Sequence, residues 1–211
     1  IMPSLVGSEM CIRDSIRTCI EILSSLPSVV VGLFGYLIFV VQFEYGFSII
    51  SGALALTVFN LPQMTRNVED SLLHVHHTQR EAGLALGLSR WETVFHVVIP
   101  EALPGIVTGI VLASGRIFGE AAALIYTAGQ SAPALDWSNW NPLSVTSPIS
   151  IFRQSETLAV HIWKVNSEGT IPDATLVSAG SAAVLLIFIL IFNFSARFIG
   201  KKLHSKMTAA K

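Results

Sequence analysis

The run LVSAGSAAVLLIFILIF, residues 176–192, contains no charged side chain. With its flanks, from 174 to 198, it exceeds the about 20 residues that a helix needs to cross about 30 Å of hydrocarbon. In water such a helix would have to be buried on all sides. Yet 52% of the 211 residues are hydrophobic and only 13% charged, too little polar surface to coat an ordinary soluble domain. The bilayer is the expected solvent. There the backbone must satisfy its own hydrogen bonds, which helices do within one segment. The fold class that follows is all-α, a polytopic membrane helical bundle.

Three further apolar runs qualify as spans: residues 23–41, LSSLPSVVVGLFGYLIFVV; residues 46–62, short but rich in small side chains; and residues 103–128. Small residues let helices approach closely in lipid. Lys and Arg in the flanks set the orientation: Arg197, Lys201, Lys202, Lys206 and Lys211 place the C-terminus in the cytoplasm. Four spans then put residues 63–101 in the cytoplasm, with Arg66, Arg80 and Arg90, and residues 129–173 outside, with Arg153 and Lys164. The outer segment, rich in Pro, Ser, Asn and Trp, reads as an ordered loop with one short helix over 156–165. Its Trp137, Trp140 and Trp163 suit anchoring at the membrane interface or contact with an external partner.

Several functions lose their footing. A net charge of -1 gives no basic field to hold nucleic acid. Cys11 and Cys19 have no metal-ligand partners at zinc spacing. His74, His76 and His77 in HVHHTQ do not share one helix side, so a polar cytoplasmic surface is the better account than a metal site. No Gly-rich phosphate loop with Lys and no nucleophile elbow occurs, which places any ATP hydrolysis in another chain. Residues 5–15, LVGSEMCIRDS, resemble a translated sequencing adapter, so residues 1–15 are expected to be a non-native leader and 16–211 the genuine membrane domain.

The cytoplasmic segment carries its own punctuation. The spacing predicts a helix over 68–87 with Gly87 as its stop. Ser89 and Glu92 form an S-x-x-E capping box for a second helix over 90–98, and Pro100 and Pro104 are expected to break it before the next span. The product is a helix-turn-helix with Ala, Leu and Gly at its apex. Such an apex suits seating in a partner's groove. The alternative is an amphipathic connector lying among lipid headgroups.

Arg116 and Glu120, in Gly115-Arg116-Ile117-Phe118-Gly119-Glu120, fall within an apolar run, where a charge near the bilayer centre costs roughly 2.5 to 3.5 kcal/mol. Four residues apart on one helix, they are placed to pair. A guanidinium offers bidentate recognition of a phosphate-like anion, and Gly115 and Gly119 leave the adjoining backbone open. Either Arg116 compensates a translocating anion while Glu120 holds it, or the two form a structural ion pair.

The run Glu81-Ala82-Gly83, three residues, Gly87, nine residues, then Val97-Val98-Ile99-Pro100 resembles the EAA loop of binding-protein-dependent ABC importer permeases, E-A-A-x3-G-x9-I-x-L-P. Gly83 stands for the third Ala, Val97 for the Ile and Ile99 for the Leu. The stretches IRTCIEILSSLPSVVVGLFG, GALALTVFNLPQMTRNVEDSL, PGIVTGIVLASGRIFGEAAALIYTAG and LAVHIWKVNSEG are similar to the phosphate importer's PstA-type permeases. The resemblance implies a type I ABC importer permease domain with four of an expected six spans present, in the plasma (inner) membrane of a prokaryote. It implies coupling to a cytoplasmic ATPase dimer through Glu81, Ala82, Gly83, Gly87 and Pro100, and a substrate pathway at Gly115, Arg116, Gly119 and Glu120. It also implies a PstC-type partner permease, an external phosphate-binding protein and surrounding membrane lipid. ATP and Mg would be used by the ATPase partner, with no cofactor bound by this chain. An importer of another oxyanion or small solute is the near alternative; an intramembrane enzyme or a membrane scaffold is a remote one.

Overall fold

A computed structural model describes residues 2–169 and 172–209, and every regular element among them is helical. Lys211 lies outside the described residues, as does the side chain of Lys206. The helices are α1 (Met2–Ser25), α2 (Ser28–Gly35) running on into a wide π-turn (Tyr36–Gln42), α3 (Ile49–Leu73), α4 (His77–Ala85), and α5 (Arg90–Thr93) running through a second π-turn (Val94–Val98) into α6 (Ile99–Gly119). Then follow α7 (Ala122–Thr127), α8 (Leu158–Glu168) and α9 (Ala174–Ala209).

The first expected span does not exist as one straight helix. The chain bends by 99° between residues 14–25 and 28–42. Pro27 has no N–H to donate into the preceding turn, and its ring pushes Leu26 out of helical backbone. Among the described residues, two helical segments are long and apolar enough to cross a membrane, Arg90–Gly119 and Ala174–Lys202; the bent pair makes a third if counted as one. The second expected span, 46–62, becomes the first half of α3, which continues through Pro62 to Leu73. Its later turns carry Arg66, Glu69 and Asp70, so the whole helix is less apolar than its first half. Pro62 is buried, and packing holds the helix together across the missing donor.

Two compact units make up the chain, residues 1–63 with 120–182, and residues 64–119 with 183–211. The first is knit by small residues. A Cβ at Gly32 on α2 would stand 2.8 Å from the Cα of Ala123 on α7. One at Gly52 on α3 would meet the Ala128 Cβ at 2.9 Å. Around this node Leu124, Ala128 and Val160 form a buried cluster, with Leu56, Ala121 and Ile125 against it.

The chain between α7 and α8 and the end of α7 serve the start of α3, whose first N–H groups have no helical acceptors. Carbonyl oxygens of Thr127, Arg153 and Ile151 accept from the N–H groups of Ser48, Ile49 and Ile50 at 3.2, 2.9 and 3.0 Å. The short helix expected over 156–165 is present as α8, capped at its start by Thr157, whose hydroxyl accepts from the Val160 N–H, and closed by Gly169 in the left-handed conformation. Lys164 donates to the Gln130 carbonyl at 2.8 Å and Asn166 to the Ser178 hydroxyl at 2.7 Å, which ties α8 to the loop and to α9. Ser138 donates its hydroxyl and then its N–H to Asp136, holding that carboxyl below the usual carboxylate range.

Because the neighbour at Gly32 is backbone, it cannot rotate away. Gly32→Ala is expected to destabilise the detergent-solubilised protein by about 1 to 3 kcal/mol, whereas Gly180→Ala, with open space around it, leaves stability at or above the parent's. Equal unfolding midpoints for the two variants would contradict the close approach.

Candidate functional site: an exposed elbow and a charged helix end

The expected continuous helix over 68–87 is two helices. α3 ends at Leu73, residues 74–76 form a turn, and α4 begins at His77. The local pattern favours helix throughout, so a tertiary contact decides the break. Val75 turns inward and is buried with Val98 and Ala102, with Leu72 and Ile106 packed around them. Burying a valine contributes about 1.5 kcal/mol or more, enough to outweigh one helical turn. The Leu72 carbonyl at the end of α3 accepts from Arg80 Nη2 at 3.0 Å, while the Asp70 oxygen, which accepts the His74 N–H, also lies 2.6 Å from the His74 Nδ1.

The second half of the elbow follows the sequence signals closely. Gly87 has φ +85°, the left-handed value that ends α4. Ser89 and Glu92 form the reciprocal box: the Ser89 N–H donates to the Glu92 carboxylate at 2.8 Å and the Glu92 N–H to the Ser89 hydroxyl at 3.3 Å. Pro100, by contrast, does not interrupt the chain. The helix runs from Arg90 to Gly119, and the π-turn over Val94–Val98 sits directly before the proline. A widened turn accommodates the proline ring and its missing donor where a regular turn would clash. Pro104 lies inside α6 as well.

Gly83, one of the three departures from the EAA pattern, now has a reason. It is buried on α4, and a Cβ there would stand 2.9 Å from the Thr93 Cγ2 and 3.4 Å from the Val97 Cγ2. Thr93 is fixed, because its hydroxyl donates to the Ser89 carbonyl at 3.0 Å. The missing methyl on α4 makes room for the extra methyl on α5. Glu81 points to solvent with His77 3.2 Å away, and Ala82 is exposed. Beside them lies an apolar surface left uncovered by the described residues: Leu86 is 83% exposed, Trp91 74% and Phe95 59%. The Trp91 and Phe95 rings stack with centroids 6.3 Å apart. Sequence reasoning found the apex but missed this aromatic pair; its four-residue spacing on a helix opened by a capping box was the available signal.

In the same unit, α6 and the end of α3 are in near-contact at Gly105 and Gly109, where a Cβ would meet Ser71 and Asn67. They border a cleft of about 600 Å³ lined in part by Asp70, His74, His76 and Glu101. Two carboxylates make this cleft the wrong place for a phosphate-like anion. Among the described residues, no group of three or more His, Cys, Asp or Glu is placed to hold a metal ion.

Gly115, Arg116 and Gly119 lie in the last turns of α6. Arg116 is exposed, and neither glycine has an atom within 4 Å of where a Cβ would be. The helix stops at Gly119, so Glu120 lies beyond the helical register that a four-residue pairing assumes. Its carboxylate oxygen instead accepts the N–H of Ala123, 3.3 Å away, at the start of α7. Arg116, in the last turn, is placed to interact with the negative end of the α6 dipole.

A multi-pass helical chain with an exposed elbow, and with an exposed arginine in the last turn of a long apolar helix, has the parts of a transporter's membrane subunit. Residues 6–209 match the family described as binding-protein-dependent transport system inner membrane component, and the chain belongs to it. It is 58% identical over 198 residues to the probable ABC transporter permease protein YqgI of Bacillus subtilis, covering 94% of this chain and 67% of that one. It is 36% identical over 189 residues to the phosphate transport system permease protein PstA 2 of Mycobacterium tuberculosis, covering 89% and 58%. A solved inward-facing structure of the MetNI methionine ABC transporter superposes with a TM-score of 0.63 at 17% identity, over 96% of this chain and 78% of that one. The fold is therefore that of a type I ABC importer permease. The chain spans about two thirds or less of the two relatives' lengths.

The Gly83–Thr93 fit generates a double-mutant test. Gly83→Ala is expected to lower stability by about 1 to 2 kcal/mol, and most of that loss should vanish in a Thr93→Ser background, which lacks the crowded methyl. Additive effects in thermal unfolding would show that the two side chains do not compete for the same space.

Proposed function

We propose that the chain is the PstA-like half of the membrane pathway of an ATP-driven phosphate importer, working by alternating access in a prokaryotic plasma membrane with its C-terminus in the cytoplasm. The observation that carries the coupling part is the elbow: two capped helices fixed to the span α6, with Leu86, Trp91 and Phe95 uncovered. A docked ATPase dimer, using ATP and Mg, shifts the gate through contacts that differ between the inward- and outward-facing states. Glu81, Ala82, Gly83, Gly87 and Pro100 shape the elbow for that docking. A PstC-type permease completes the pathway, and an external phosphate-binding protein delivers the anion to the outer loop.

The substrate part is supported by the PstA relatives and by chemistry. Arg116 offers two parallel N–H donors to a phosphate oxygen pair, beside Gly115 and Gly119, which leave open space. Glu120, four residues on, keeps the site from becoming a permanent anion trap by adding a negative charge and fixing the break before α7. A second reading, an importer of another oxyanion or small solute, is favoured by one fact: the relative at 58% identity carries no substrate in its name.

The test is phosphate uptake in cells lacking a PstA-type permease, complemented by this chain joined behind the N-terminal part of that permease. ATP-dependent uptake is expected, falling at least about tenfold in Arg116→Gln, the scale of one charged hydrogen bond, with the complex still assembled. Uptake of sulfate or an amino acid in place of phosphate would move the assignment to the second reading. Leu86→Asp is expected to reduce the ATPase subunit that co-purifies; unchanged co-purification would remove the elbow from the docking surface.

A further inference from the structure

Arg80 precedes Glu81 on α4, yet its guanidinium reaches back eight residues across the elbow to the Leu72 carbonyl, 3.0 Å from Nη2. Leu72 is in the last turn of α3, where carbonyl oxygens have no helical N–H to accept from. The Nε of the same guanidinium is buried without a partner, so the group is held inside the elbow and not splayed into solvent. Between the two ends of this bond lie the three non-helical residues His74, Val75 and His76. Val75 is the second attachment, buried against Val98 and Ala102. Gly83, packed against Thr93, holds α4 to α5; the Arg80 bond is its direct tie to the end of α3.

We propose that Arg80 is a positioning residue for coupling: it makes α3 and α4 move as one body, so that a displacement imposed on the elbow is delivered along α3. The inference rests on the coupling reading above, and it assigns Arg80 no contact with substrate or nucleotide. The planar fork supplies a directional hold; a lysine at the same place keeps one donor and the charge but less of the direction.

The experiment uses the complemented, assembled transporter with Cys11 and Cys19 replaced by Ser. Two quantities are read: phosphate taken up per ATP hydrolysed, and the rate at which a cysteine introduced as Val75→Cys is labelled by a maleimide. With Arg80→Gln, whose side chain is too short to reach Leu72, uptake per ATP is expected to fall about tenfold, the equilibrium equivalent of one charge-assisted hydrogen bond. Labelling should accelerate by a similar factor, while the co-purified ATPase stays at the parent level. Arg80→Lys should recover most of both. Parental values for Arg80→Gln, a change in only one of the two readouts, or a loss of co-purified ATPase in step with uptake would each overturn the proposal. A parent complex whose ATP hydrolysis is not stimulated by phosphate and its binding protein would overturn the coupling reading itself, and this inference with it.

Discussion

Helices surrounded by lipid gain little from hiding apolar side chains from one another, because the acyl chains are as apolar as leucine; their association depends on how closely the backbones can come. That constraint runs through both compact units. In the first, Gly32, Gly35 and Gly52 bring α2 and α3 against α7 so closely that a methyl group at any of them would fall 2.8 to 2.9 Å from an existing carbon. In the second, Gly105 and Gly109 do the same for α6 against Ser71 and Asn67, and Gly83 for α4 against Thr93. Large side chains such as Leu112, Leu186 and Ile191 are left outward. The distribution is that of a chain whose contacts are made by its smallest residues.

Close backbones also explain how the elbow can be both exposed and stiff. Polar groups at its two helix ends are bonded locally, by the Ser89–Glu92 box and by Arg80 and His74 at the end of α3. Its apolar groups divide: Val75 goes inward, while Leu86, Trp91 and Phe95 stay out. A surface of that kind loses little conformational freedom when a partner covers it, since the order is already present.

Local chemistry was the legible part of the sequence. The capping box, the left-handed Gly87, the outer helix near residue 158 and the long apolar α9 were all visible in residue types and spacing, because each depends on neighbours within a few positions. The bend at Pro27, the continuation of α3 through Pro62 and the passage of the chain through Pro100 were not read from the same prolines. A proline says only that one donor is missing; whether the helix bends, widens or carries on depends on what packs there. The break at residues 74–76 had no local signal, since it is imposed by the burial of Val75 against residues more than twenty positions away. Arg116 and Glu120 were singled out by their chemistry, and the helical register assumed between them stops at Gly119. Arg80 was read as one more cytoplasmic cation, because its acceptor is a main-chain oxygen that no side-chain pattern announces.

The unequal lengths of the helices bear on the membrane itself. Ser28 to Gln42, the segment after the sharp bend, is 15 residues long and at about 1.5 Å per residue reaches roughly 22 Å. The uncharged stretch of α9 from Ala174 to Ala196, 23 residues, reaches roughly 34 Å by the same rise. Hydrocarbon about 30 Å thick matches neither. The short segment draws the lipid thinner, and the long one tilts or thickens it, each at a fraction of a kcal/mol per Å of mismatch. The bilayer around this protein is therefore not of uniform thickness, and the acyl-chain length of its host membrane becomes one of the forces acting on it.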